Sequence, residues 1–295
     1  MLLIGNGNVI TRDAAQPYVE NGCVVIDKNL IVEVGDTQGM RSKYPGAAFM
    51  DVKGQVIMPG MINTHMHLYS TFARGMALKD APPQNFVEIL ERLWWRLDKV
   101  LTLEDVYYSA LPVIIDCIKN GTTTIFDHHA SPGAVRESLF TLANAAKTAG
   151  IRASFCYEVS DRDGAMVMQE GIRENVEFIQ HAKQDADHML SGMFGMHASM
   201  TLSDKTLAAC AAANAGTGAG FHVHTAEAAS DLEAGLKEHG KSPVERFVAC
   251  GMFNPKSIAV HCVHVTEKDK ELLLETGVNV VHNPESNMGN AVGCS

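Results

Sequence analysis

The sequence lacks the features that mark nucleic-acid-binding and membrane-spanning proteins. Its 34 acidic residues outnumber 24 lysines and arginines, the formal net charge is −10, and no basic stretch stands out that would bind a phosphate backbone. No uninterrupted apolar run approaches the roughly 20 residues of a transmembrane helix. No positively charged segment followed by an apolar segment opens the chain, so no signal peptide is expected. We therefore expect neither nucleic acid nor membrane as a partner.

Paired cysteines and nucleotide-binding loops are also lacking. The seven cysteines are odd in number and scattered, without a Cys-x-x-Cys pair, which disfavours a disulfide framework or a zinc knuckle. Free, mostly buried thiols in a reducing cytoplasm fit this pattern. Neither a Gly-x-Gly-x-x-Gly nor a Gly-x-x-x-x-Gly-Lys-Ser/Thr stretch follows a predicted strand, which disfavours a nicotinamide- or phosphate-binding protein. Of the 295 residues, 46% are hydrophobic and 20% charged, a composition typical of a soluble, well-cored enzyme.

Two patterns of apolar residues divide the chain. Residues 1–57 read as short β-branched strands separated by turns, which predicts a small β module. From residue 58 to 295, apolar runs alternate with helical segments, which predicts parallel strands covered by helices. The predicted strands span residues 60–67, 122–127, 152–157, 192–197, 220–224, 257–261 and 278–282. The predicted helices span residues 85–99, 103–120, 132–149, 171–184, 203–214, 242–249 and 267–275. Seven strands indicate a (β/α)8 TIM-type barrel that is one unit short.

Polar residues stand at the carboxyl ends of nearly all these strands, where such barrels carry out their chemistry. Because each buried polar group needs a hydrogen bond or a metal, a repeated placement of this kind indicates a site. The positions are His65, His67, Asp127, His128, His129, Glu158, His197, His222, His224, His261 and His282.

Strand parity narrows the assignment of these side chains. His65 and His67 lie two residues apart on one face of a strand, and so do His222 and His224, so each pair can face a metal ion. Parity leaves open which member of the adjacent pair at 128 and 129 faces the site, and likewise which of the histidines at 261 and 264. Glu227 follows a strand end by three residues; it is placed to shuttle a proton, or it is simply a carboxylate at a helix start.

Several motifs resemble the amidohydrolase superfamily, and within it the ATZ/TRZ branch of deaminases and chlorohydrolases. Gly54-Gln-Val-Ile-Met-Pro-Gly-Met-Ile-Asn-Thr-His-Met-His67 is similar to the signature that opens the barrel of that superfamily. The later motifs that resemble the branch are Gly121-Thr-Thr-Thr, His222-Val-His-Thr-Ala-Glu227, Val260-His-Cys-Val-His264 and His282-Asn-Pro-Glu-Ser-Asn287.

The resemblance implies a role for each matching residue. His65, His67 and His224 would be ligands of one divalent metal ion, with zinc preferred and iron as the alternative. Glu227 would move a proton, and His261 would orient and help deprotonate the water. The positions implied for substrate binding are His197, His128, His129 and His282. The implied partners are a small-molecule substrate and water. The resemblance leaves open whether the chain forms a homo-oligomer.

Two departures from the family pattern bear on these roles. Binuclear members carry a carboxylated lysine on the fourth strand, but residues 192–200 contain no lysine, which implies one metal ion rather than two. The family's last ligand is an aspartate ending an eighth strand, and no such segment follows the seventh predicted strand. We therefore expect a C-terminally truncated barrel, together with an N-terminal module that is half of a composite β-sandwich.

The resemblance implies a metal-dependent hydrolase of carbon–nitrogen bonds other than peptide bonds, deaminating a small purine-, pterin- or pyrimidine-like heterocycle. Within the same site, cyclic amide hydrolysis and chloride displacement are the alternatives. An inactive metal-binding fragment, or one that needs a complementing chain, is the alternative from a different class.

Overall fold

The computed structural model describes residues 1–293, and these fall into two compact units, one of residues 1–61 and one that begins at residue 62. The domain boundary predicted from the sequence, at residue 57, lies close to this division. The division into an N-terminal β module of residues 1–57 and a barrel of residues 58–295 stays a prediction.

The first unit is a five-stranded sheet with one helix against it. Strands β1 to β5 are Leu2–Ile10, Tyr18–Asp27, Leu30–Asp36, Ala48–Asp51 and Val56–Ile57, and helix α1 is Thr37–Lys43. β1 pairs antiparallel with β2 and parallel with β4 and β5, and β3 lies beyond β2. Residues of β1 alternate between buried and half-buried, as a strand with one covered face requires. The core contains Leu3, Cys23, Val25 and Met40.

The second unit contains seven strand positions in sequence order. They are β6 (Met61–Met66), β7 (Thr122–His129), β8 (Arg152–Tyr157), β9 (Leu190–Gly192) with β10 (Phe194–Ala198), β11 (Phe221–Thr225), β12 (Ile258–His261) and β13 (Asn279–Val281). β9 and β10 form one position because both lie beside β8, β10 through the bridge between Val159 and Met196. The order β6-β7-β8-β9 continues as β10-β11-β12-β13.

Helices connect these strands. They are α2 (Phe86–Ile89), α3 (Trp95–Leu97), α4 (Leu103–Lys119), α5 (Ser138–Ala149), α6 (Ala165–Ala182), α7 (Asp204–Asn214), α8 (Ala229–His239), α9 (Pro243–Ala249), α10 (Glu267–Thr276) and α11 (Pro284–Gly289). Capping residues set several of these boundaries. Ser203 accepts from the Thr206 amide at the start of α7, and Gly150 ends α5 with φ of 79°.

The alternation of strands and helices confirms the predicted α/β class and the (β/α)8 barrel type, with seven positions filled by the described residues. Two apolar clusters pack between strands and helices, one centred on Ile125, Phe155 and Phe178, the other on Phe194, Val223 and Phe247. Among residues 1–293, no helix combines the length and the apolar character that crossing a bilayer requires.

Candidate metal centre and active site

A cavity of about 500 Å³ opens at the carboxyl ends of the barrel strands. It lies where the barrel fold places its chemistry, because the loops after the strands meet there. Seven of the side chains to which the sequence assigned a role line this cavity: His65, His67, His197, His224, Glu227, His261 and His282.

Backbone carbonyl groups orient His67 and His224 toward a common point. The Nδ1 atom of His67 lies 2.6 Å from the carbonyl oxygen of His128, and Nδ1 of His224 lies 2.9 Å from that of His197. A carbonyl oxygen only accepts, so both Nδ1 atoms carry the proton and both Nε2 atoms present lone pairs. These two Nε2 atoms are 3.2 Å apart. Two nitrogens about 2.0–2.1 Å from one tetrahedral zinc would be about 3.3 Å apart, so the spacing fits a shared cation.

A chain of side chains orients His65 in the same manner. Its Nδ1 atom lies 2.9 Å from Nε2 of His222, whose Nδ1 atom lies 3.6 Å from the sulfur of Cys156. The Cys156 thiol donates to the carbonyl oxygen of Asp127, so its sulfur can accept from His222. His222 Nε2 then accepts from His65, which leaves the Nε2 atom of His65 with a lone pair.

The electrostatics of these histidines favour neutral rings. Burial lowers the pKa of His67 to about 4, and it lowers the pKa values of His65 and His224 well below the usual range. Neutral imidazole is the form that binds a metal ion. Ligand atoms of His65, His224 and His261 lie within 4.8 Å of one another, and so do those of His67, His128, Glu158 and His224. The donor set therefore fits a divalent metal that accepts nitrogen ligands.

Glu227 and His261 form a second functional pair beside these histidines. The Nε2 atom of His261 lies 3.5 Å from Oε2 of Glu227, and Nδ1 of His261 lies 2.7 Å from Oδ1 of Asn287. The Nδ2 group of Asn290 donates to Oε1 of Glu227 at 3.2 Å. Burial raises the pKa of Glu227 to about 7, a value suited to taking up and releasing a proton near neutrality.

The backbone around this pair adopts an uncommon conformation. His261 has φ of 72° and Ala226 has φ of 48°, both in the left-handed region. Asp231 holds the second of these turns, because its carboxylate accepts from the amides of Ala226 and Met200, each at 2.9 Å. One buried carboxylate therefore connects the loops that follow β10 and β11, and it positions Glu227.

The structure does not bring every predicted residue to the cavity wall. His128 and His129 are fully buried behind it; Nε2 of His128 faces two carbonyl oxygens, and Nε2 of His129 faces the Ser131 hydroxyl at 2.9 Å. His264 turns away and contacts the carbonyl oxygen of Val292 at 2.6 Å. His128 and His129, which were predicted to bind substrate, therefore do not line the described cavity.

Sequence reasoning did not assign a role to several residues that line the cavity. Glu158 follows β8 and was noted as a polar strand end, but no spacing connected it to the histidines. Trp94, Trp95 and Asn290 come from segments outside the barrel strands, so strand periodicity carries no signal for them. Only the way the loops fold over the barrel reveals these residues.

Comparisons with known proteins identify the family of the chain. The family model described as "Amidohydrolase family" matches residues 56–295. The chain is 33% identical over 292 residues to a 5'-deoxyadenosine deaminase of Methanosarcina mazei. It is also 32% identical over 295 residues to a 5-methylthioadenosine/S-adenosylhomocysteine deaminase of Desulforudis audaxviator. Each alignment covers 99% of this chain and 64% of the relative, so the chain spans about two thirds of the length of these relatives.

Solved structures show the same fold. A zinc-bound adenosine deaminase from Xanthomonas campestris superposes with a TM-score of 0.82 at 25% identity, covering 99% of this chain and 64% of that one. A guanine deaminase from C. acetobutylicum superposes with a TM-score of 0.85 at 18% identity, covering 99% of this chain and 69% of that one, and it supports the fold alone. The family model covers most of the chain, including the strand with the paired histidines, and so this chain belongs to the amidohydrolase family.

Proposed function

We propose that the chain carries the site of a metal-dependent hydrolase that cleaves carbon–nitrogen bonds other than peptide bonds and releases ammonia from a small heterocycle. The observation that carries this proposal is the pair of Nε2 lone pairs of His67 and His224, 3.2 Å apart, in a cavity that His65 and Glu227 also line. Adenosine-type deaminases among the relatives support a purine-like substrate, with pterin- and pyrimidine-like rings as the related classes. Water is the second substrate.

We assign His65, His67 and His224 as the ligands of one divalent ion, zinc in the first place and iron as the alternative. A metal ion bound there supplies a water of lowered pKa, the nucleophile that hydrolysis needs at neutral pH. The hydrogen bonds on the far side of each ring hold the three lone pairs in place, which raises ligand basicity.

The remaining residues would move the proton of the water and hold the substrate heterocycle. Glu227 would take the proton of the water and deliver it to the leaving nitrogen, which lets ammonia depart as a neutral group. His261, held by Asn287 and close to Glu227, would orient the same water. His197 and His282 line the same cavity and would contact the heterocycle. A cytoplasmic location, inferred from the unpaired cysteines, is part of this proposal.

An ammonia-release screen tests the proposal. The metal-loaded protein would be assayed with purines, pterins and pyrimidines, and in parallel with a cyclic amide and a chlorinated triazine. We expect ammonia release from at least one aminated heterocycle. Release of chloride or ring opening alone would reassign the reaction within the same site, and no turnover of any compound with metal bound would contradict the proposal.

The first prediction concerns Glu227. Glu227→Gln should retain the metal and lose about 10²–10⁴-fold in kcat, because the amide keeps the shape of the side chain but cannot carry the proton. Metal content measured by atomic absorption distinguishes this role from a ligand role. Loss of metal together with activity would make Glu227 a ligand, and near-normal kcat would remove it from the reaction.

A further inference from the structure

Arg246 of α9 is a buried arginine that the proposed reaction does not use. Its side chain is only 2% exposed. A guanidinium stays charged at any ordinary pH and can only donate, so burial requires acceptors for its N–H groups. The acceptors that it contacts therefore indicate which part of the barrel it holds.

Arg246 donates to one short segment, residues 199–202, which we call the β10 turn because it directly follows β10. Nη1 donates to the carbonyl oxygen of Ser199 at 2.8 Å and to the hydroxyl of the same residue at 2.7 Å. Nη2 donates to the carbonyl oxygen of Leu202 at 2.8 Å and to the carboxylate of Asp204 at 2.7 Å. One planar guanidinium thus contacts both ends of the turn, which the compact ammonium of a lysine could not do.

The β10 turn also contacts the carboxylate that positions Glu227. The amide of Met200, inside the turn, donates to Oδ1 of Asp231 at 2.9 Å, and the amide of Ala226 donates to Oδ2 at 2.9 Å. Ala226 directly precedes Glu227 and has φ of 48°, a conformation that a residue other than glycine keeps only where neighbouring contacts hold it. A displacement of the β10 turn would therefore move Asp231 and, with it, the backbone that carries Glu227.

The proposed metal ligand His224 is held independently of Arg246. Its Nδ1 atom lies 2.9 Å from the carbonyl oxygen of His197. His197 belongs to β10 itself, and its amide donates to the carbonyl oxygen of Val159 at 2.9 Å. Hydrogen bonds between strands therefore fix this carbonyl group, whereas the β10 turn lies beyond the end of the strand. Loss of Arg246 should accordingly disturb Glu227 and leave the metal ligands in place.

We propose that Arg246 is a positioning residue: it holds the β10 turn and, through Met200 and Asp231, keeps Glu227 at the place where the proton is transferred. Arg246 does not line the cavity, so it contacts no substrate and acts only through these groups. A displacement of about 1 Å at a reacting group can cost about 100-fold in rate, which makes such an anchor important for turnover. This inference rests on the proposed function, because it concerns the proton transfer of the same site.

Hydrogen exchange of the zinc-loaded protein tests the anchor without any substrate. Arg246→Met keeps an unbranched apolar side chain and removes the guanidinium. We expect exchange to become at least about tenfold faster in peptides that cover residues 199–203 and 224–231, and to stay unchanged in β7 and β8. Asp204→Asn is the matched control: this side chain is 75% exposed, and its replacement leaves the contacts of Arg246 with the carbonyl oxygens of the β10 turn. The control should exchange like the unchanged protein.

A double-mutant cycle tests whether Arg246 acts through Glu227. The kcat is measured with the compound that the ammonia-release screen turns over fastest. Arg246→Met alone should retain zinc and lower kcat by about 10–100-fold, whereas the same change in a Glu227→Gln background should lower kcat by less than about threefold. Arg246→Lys keeps the charge and can reach one carbonyl oxygen, so it should recover part of the loss. If Arg246→Met does not fold, Arg246→Lys takes its place in the exchange measurement and in the cycle.

The outcomes separate this inference from the proposed function. Faster exchange in β7 and β8 as well as in the two peptides would indicate a general loss of stability and overturn the positioning role. Equal losses of kcat in both backgrounds, loss of zinc with Arg246→Met, or the same effects in Asp204→Asn would also overturn it, while ammonia release would keep the hydrolase. No ammonia release from the unchanged protein would reject the hydrolase and the positioning role together, whatever the exchange of the β10 turn.

Discussion

At the scale of single residues, the orientation of each imidazole depends on the group behind it. His67 and His224 donate to carbonyl oxygens, which belong to the backbone and cannot be changed by substitution. His65 is different, because it donates to His222, and His222 in turn contacts the thiol of Cys156. The position of one metal ligand therefore depends on a side chain that can be replaced.

The second prediction follows from this dependence. Cys156→Ala should weaken zinc binding by about 10–100-fold, because His222 loses its partner and can then turn its protonated nitrogen toward His65. Competition with a chromophoric chelator measures the affinity. Cys156→Ser is the matched control, since its hydroxyl can still accept from His222 and should restore part of the loss. Equal zinc affinity in the alanine variant and the unchanged protein would show that His65 needs no such support.

At the scale of elements, α5 begins without a capping side chain of its own. Glu137, the residue before the helix, has φ of 68° and makes no side-chain cap. Glu174 of α6 takes that place: its carboxylate accepts from the amides of Glu137 and Leu139, each at 3.1 Å, and lies 3.3 Å from Arg136. A carboxylate from the neighbouring helix therefore accepts hydrogen bonds from backbone amides at the start of α5.

The third prediction concerns the ionisation of Glu174. Burial raises its pKa to about 7 despite two backbone amides and Arg136, so the folded state holds the proton more tightly than the unfolded chain. The stability from this group is complete below the ordinary pKa of a glutamate and is lost as pH rises toward about 7. The loss is on the order of 3 kcal/mol at most.

Urea unfolding at about pH 5 and about pH 8 checks this prediction against Glu174→Gln, which cannot titrate. As pH rises, the unfolding free energy of the unchanged protein should fall relative to that of the variant. If the unfolding free energy of the unchanged protein rose relative to that of the variant, the helix start would stabilise an ionised carboxylate instead.

At the scale of the whole molecule, the three proposed ligands connect distant parts of the chain. His65 and His67 belong to β6 and the turn after it, and His224 belongs to β11, so 157 residues separate the two nearest nitrogens in sequence. A metal ion that binds the folded barrel and not the unfolded chain stabilises the barrel by mass action.

The fourth prediction is that metal removal destabilises these strands selectively. Free zinc at about 100 times its Kd should add about 2.7 kcal/mol to the unfolding free energy, and a chelator should remove it. Hydrogen exchange should then rise in the amides of β6 and β11. Strands β1 and β2 of the N-terminal unit carry no proposed ligand and serve as the internal control. Uniform change in all four strands, or none in β6 and β11, would contradict the ligand assignment.

The amino-acid sequence alone determined the order of elements in the barrel. All seven predicted strand positions are present, because apolar periodicity is a local property. The boundaries at Ser203 and Gly150 are local too, since each depends on the capping chemistry of one residue. Helices α8 and α11 were not predicted, because the polar residues just before them were assigned to the site. The predicted grouping of His65, His67 and His224 rested on strand parity and on motif resemblance.

Only the tertiary structure determined which of the polar side chains at the strand ends reach the cavity. Parity could not choose between His128 and His129, and the fold buries both: Nε2 of His128 lies beside carbonyl oxygens of β10 and β11, and Nε2 of His129 lies beside the Ser131 hydroxyl. It could not choose between His261 and His264 either, and the left-handed turn at His261 directs that ring toward Glu227. The contacts that orient His67 and His224 and the contact between His222 and Cys156 all join residues that are distant in sequence. Such contacts depend on three-dimensional packing, for which local periodicity carries no signal.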